Sequence, residues 1–114
     1  MKAWPLLVYG VGALLDAAST YAALLLVPGA FETNPRVAPL LFTPLHPLSE
    51  LAAFAVMASL YLAGLLVERY NRKHGLPRLG AVARGVIHAA VAAVGALRIA
   101  ATANNLLIVL AWLL

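Results

Sequence analysis

Three long apolar runs, broken by two more polar stretches, account for nearly the whole chain. They cover about 4–27, 49–67 and 80–112. At 1.5 Å per residue the first gives about 36 Å of helix, enough to cross ~30 Å of hydrocarbon with some tilt. The pattern predicts an all-α integral membrane protein with three transmembrane helices in a single domain over 1–114.

Within the first run, helical spacing puts Gly12, Asp16, Ser19 and Ala23 on one face, with Thr20 beside them. That face is small and polar and should point into the protein, leaving Leu7, Leu14 and Leu25 for lipid. Trp4 and Tyr9 suit the inner interface. Lys2 followed by apolar residues, with Asp16-Ala17-Ala18-Ser19 as a poor cleavage site, has the form of a signal peptide. The run resumes after Ser19 and continues to Val27, so it reads as a retained span. Pro28-Gly29 ends it.

Pro35, Pro39, Pro44 and Pro47 exclude one uninterrupted helix from 29–48. Asn34-Pro35 reads as the N-cap and first position of a short helix through about Phe42. Val37, Leu40 and Leu41 are too few to span, so that helix is interfacial or re-entrant. Ser49 is a plausible N-cap for the second span, with Glu50 in its first turn, where the helix dipole favours an acid. Ala55, Ser59 and Ala63 form a small-residue seam. A basic loop at 68–79 follows, turning at Gly75-Leu76-Pro77. The third run contains no proline. A break near Ala103–Asn105 would leave 106–114 too short to cross, so one long helix is favoured. Ala92, Ala96 and Ala100 give it a second seam. Arg98, Thr102 and Asn105 share a face, with Asn104 next to it.

Composition supports this reading. Hydrophobic residues make up 64% and charged residues 11%, against about 25% charged in a soluble domain. The mean hydropathy is +0.94. A net charge of +4 could suggest nucleic acid. However, Arg69, Arg72, Lys73 and Arg78 fall between two apolar runs and Arg84 at the start of the third, and no basic stretch is interleaved with aromatics. The cluster marks a cytoplasmic loop able to meet anionic lipid headgroups. It orients the chain in the cell membrane with the N-terminus cytoplasmic and the C-terminus external.

The chain has no cysteine, hence no thiolate chemistry. His46, between two prolines, reads as an interfacial side chain. His74 lies in the basic loop, and His88 reads as satisfying a neighbouring helix. None has paired metal-ligand spacing. No serine-hydrolase elbow, phosphate loop or dinucleotide fingerprint occurs. No catalytic residue, metal or cofactor is expected.

The threading puts Asp16 and Arg98 near mid-membrane. Thr20, Glu32, Asn34, His46, Glu50, Thr102, Asn104 and Asn105 fall in the outer half. An unpaired Arg98 costs roughly 2.5–3.5 kcal/mol at a helix centre, so Asp16 is its natural partner. Asp16, Thr20, Glu32, Asn34, Arg98, Thr102, Asn104 and Asn105 form a polar cluster that is either a binding site or a structural lock. The 29–48 segment would be its lid. Asp16 and Thr20 with Glu32 or Glu50 could hold a cation. Arg98, Asn104 and Asn105 could hold an anion or a zwitterionic headgroup. Glu32-x-Asn34 also reads simply as a helix start.

Asp16-x-x-x-Thr20, Glu32-x-Asn34-Pro35, and Arg98 followed by Asn104-Asn105 resemble a family of small prokaryotic multi-pass membrane proteins of unknown function. The resemblance covers most of the chain and implies a shared membrane fold with a polar site at these positions, but no activity. In size and in its acid on the first helix the chain also looks like the small multidrug-resistance exporters. Those have four spans, a glutamate where this chain has Asp16, and no counterpart to Arg98.

The function expected is a non-enzymatic small binding or accessory protein, in a homo-oligomer or a larger membrane complex. Ion- or proton-coupled transport through Asp16 is one alternative. An intramembrane enzyme acting on lipid or a membrane protein, with Asp16, Glu32 or Glu50 as acid or base, is another.

Overall fold

A computed structural model describes residues 3–114; Lys2 of the signal-like segment lies outside the described residues. Three helices form, α1 (Trp4–Leu26), α2 (Leu45–Lys73) and α3 (Pro77–Leu113). No strand occurs among the described residues. All three helices are long and apolar enough to cross a membrane.

The third run is one unbroken helix of 37 residues, about 55 Å at the α-helical rise. It is the axis of a molecule 60 Å long. α1 packs along it in parallel and α2 antiparallel, while α1 and α2 touch each other little. Both packings depend on glycine. A Cβ added to Gly95 would lie 2.6 Å from the Tyr9 backbone, and one added to Gly12 would lie 2.4 Å from the Gly95 carbonyl oxygen. The α1 and α3 backbones are therefore in direct contact at that level. On the other side, Gly64 makes room for the His88 ring and Gly80 for the Glu68 backbone.

Tyr9 lies in this crossing, 2% exposed, its backbone against Gly95. Gly12, Ser19 and Ala23 are buried, and Leu7, Leu14 and Leu25 are exposed, as the face analysis requires. The two alanine seams are not used inside the bundle. Ala55, Ser59, Ala96 and Ala100 are exposed, and Ala63 and Ala92 are half-buried.

The second helix begins earlier than its pattern suggests. α2 starts at Leu45, so Ser49 is not its cap, and the Ser49 hydroxyl donates to the His46 carbonyl instead. The cause is proline tolerance. Pro47 occupies the first turn, where a backbone N–H has no helical acceptor in any case. Thr43 serves the start, its hydroxyl accepting from the Leu45 N–H. Glu50 thus moves from the first turn to the second.

The basic stretch is also helical. α2 continues to Lys73 and α3 begins at Pro77, so the loop contracts from 68–79 to three residues, turning at Gly75 with φ +75°. Charged residues past the end of a span remain good helix formers, and Glu68 pairs with both Arg72 and Arg84.

Between α1 and α2, Asn34 caps one turn, accepting the Arg36 N–H on its side chain and the Val37 and Ala38 N–H groups on its carbonyl. The short helix expected through Phe42 stops there, leaving only a 3-10 turn at Ala38–Leu40. Pro39 supplies no N–H, and its ring crowds the carbonyl four residues back.

Candidate functional site

Arg98 is the hub. It projects from mid-α3 towards both other helices at the level where α1 presents Asp16 and α2 presents Glu50. Its Nε donates to Asp16 Oδ2 at 3.0 Å. Nη1 and Nη2 donate to the two Glu50 oxygens, each at 2.7 Å. The Glu50 contact is a two-point fork, the strongest form of arginine–carboxylate pairing. All three side chains are largely shielded, at 20–25% exposure.

A second layer lies above the hub. The Asn105 amide donates to both Ser19 and Thr20 at 3.0 Å, tying the C-terminal half of α1 to α3. The Ser19 hydroxyl donates to the Asp16 carbonyl. His46 is buried. Its Nδ1 meets the Tyr21 hydroxyl at 2.8 Å, and its Nε2 lies 3.5 Å from Glu50. Tyr21 also accepts the Phe42 N–H and packs edge-on against that ring at 5.0 Å. It thereby holds Phe42 at φ 61°, a conformation costly for a side chain of that size.

Over this layer the 31–37 segment closes a cavity of about 280 Å³. Asp16 and Thr20 line it from α1, Glu32, Thr33, Asn34 and Val37 from the connecting segment, His46 and Glu50 from α2, and Arg98, Asn104 and Asn105 from α3. Glu32 is positioned by accepting the Asn34 N–H at 2.9 Å. Seven of the eight residues in the sequence-derived cluster therefore meet in one cavity. Thr102 does not, because its hydroxyl donates to the Arg98 carbonyl one turn back along α3.

Glu50 and His46 are the residues the pattern undervalued. With Ser49 taken as the helix start, Glu50 read as a dipole partner and an alternative cation ligand, not as a partner of Arg98. Placing the start at Leu45 puts His46 and Glu50 one turn apart on the same face, and that spacing is the signal that could have found them.

The chemistry follows from the charges. Three carboxylates face one guanidinium in the cavity, a formal excess of two negative charges with His46 neutral. The cavity's one cation already gives three of its five N–H donors to acids, so it is poorly placed to capture an anion. The carboxylates keep unused lone pairs and favour a positively charged or hydrogen-bond-donating guest. Among the described residues no group of three His, Asp or Glu could hold a metal ion. His88 bonds the Tyr61 carbonyl at 3.0 Å and stacks on its ring, deep between α2 and α3 and away from the cavity.

Comparison of the chain with family models, with curated proteins and with solved structures gives no match.

Proposed function

We propose that this protein is a small, non-enzymatic membrane binding protein that takes a positively charged, hydrogen-bonding ligand in the cavity beneath the 31–37 segment. One observation carries the reading. All three helices and the connecting segment contribute polar side chains to a single cavity with an excess of carboxylates. A purely structural lock needs the Asp16–Arg98–Glu50 hub but does not need Glu32, Asn34 and Asn104 brought over it. With the basic end of α2 and α3 in the cytoplasm, the cavity lies in the outer half of the cell membrane and its ligand arrives from that side.

Equilibrium dialysis of the protein in nanodiscs against labelled methylammonium tests the reading. Saturable binding at one site, lost in Glu32→Gln, is expected. Absence of saturable binding refutes it.

A second feature favours self-association or docking to a larger complex. The Ala55–Ser59–Ala63 seam faces outward, where a second helix could approach closely. Native mass spectrometry from mild detergent should show a dimer or higher species; a monomer throughout excludes a stable assembly. Ion-coupled transport remains the competing use of Asp16, and unchanged flux in Asp16→Asn proteoliposomes would exclude it.

A further inference from the structure

An apolar groove of about 620 Å³ separates α1 from α2. Gly10, Ala13 and Leu14 line it from α1, and Leu51 and Phe54 from α2. It exists because α1 and α2 each pack on α3 and barely on each other. Phe54 closes its inner end, with its ring 3.7 Å from where a Cβ on Gly10 would stand. Ala17, His46 and Glu50 line both this groove and the polar cavity. The two spaces are therefore immediate neighbours, with Ala17, His46 and Glu50 as their common wall. From Tyr21 to Gly10 the groove runs about 16 Å along α1.

We infer that the ligand is an amphiphile with a single apolar tail and a cationic amine head, the head among Asp16, Glu32 and Glu50 and the tail lying down the α1–α2 groove. The inference rests on the binding reading above and adds the ligand class. Charge complementarity selects the head, since a phosphate or sulfate would enter a cavity already carrying excess negative charge. The apolar groove directly beside the cavity, across the shared Ala17, His46 and Glu50, selects the tail.

Thermal unfolding in a neutral detergent tests this with three probes: dodecylammonium, ethylammonium and dodecyl sulfate. Dodecylammonium should raise the unfolding temperature at a concentration at least tenfold below that needed for ethylammonium, and dodecyl sulfate should give no saturable rise. Ala13→Phe fills the groove and should bring dodecylammonium to the level of ethylammonium while leaving ethylammonium unchanged. Leu51→Trp narrows the groove from α2 and should act the same way if Ala13→Phe does not fold. Equal potency of the two amines on the unsubstituted protein overturns the tail assignment and leaves the cavity reading standing. No response to either amine overturns both. An equal response to dodecyl sulfate overturns the cationic head.

Discussion

Replacing Arg98 by alanine removes the only cation between Asp16 and Glu50. Three charge-assisted hydrogen bonds are lost. At about 1.5–3 kcal/mol each they represent about 4.5–9 kcal/mol gross. Removing the arginine also returns its own insertion cost of about 2.5–3.5 kcal/mol. The net loss is then about 1–6.5 kcal/mol, which brackets the ~3–5 kcal/mol measured when one partner of a buried pair is deleted. Two shielded carboxylates are left facing each other with no counter-charge. The triple variant Asp16→Asn, Glu50→Gln, Arg98→Gln removes all three charges and keeps hydrogen-bonding groups in place. It should lose less than about 2 kcal/mol, since neutralising a whole buried network is far cheaper than breaking it. Reversible unfolding in mixed micelles, titrated with a denaturing detergent, measures both. If Arg98→Ala costs under about 1 kcal/mol, or the triple variant costs more than the single one, the hub is not the electrostatic keystone described here.

Other outcomes follow from the same geometry. Glu50→Gln should destabilise more than Asp16→Asn, because Glu50 takes two of the three arginine bonds at the shorter distance, and a double-mutant cycle against Arg98 reads the difference. Gly95→Ala pushes a methyl group into the Tyr9 backbone and should cost about 1–3 kcal/mol. Gly85→Ala meets open space and should stabilise by up to about 1 kcal/mol, the helix-propensity difference, in the same titration. Ser59→Leu, on the outward face of α2, should leave unfolding unchanged and shift any oligomer towards monomer in native mass spectrometry.

The apolar runs made the three spans legible, because length and hydropathy alone decide whether a helix can cross. The pairing of Asp16 with Arg98 was legible too, since an arginine at that depth demands an acid. Glu50 was obscured by prolines. Pro44 and Pro47 look like breakers, yet the first turn of a helix tolerates them, so the register of α2 could not be set from residue types. The packing surfaces were obscured by a different ambiguity. Alanine at four-residue spacing and glycine both permit close approach. Only the structure shows that Gly12, Gly64, Gly80 and Gly95 carry the internal contacts while the alanine seams face outward. The contraction of the basic loop reflects the same limit, because charge fixes the side of the membrane without saying where a helix ends.

The claim that the cavity is a cation-binding site is tested most directly by carbon NMR of the side-chain carboxylates. Asp16, Glu32, Glu50 and Glu68 are the only acidic side chains in the protein, and Glu68 lies at the far end, paired with Arg72 and Arg84. It is a built-in control. Titration with methylammonium in nanodiscs should shift the Asp16, Glu32 and Glu50 resonances along one saturating curve and leave Glu68 still. Linear drift of all four resonances together, or no movement of the first three, contradicts the claim.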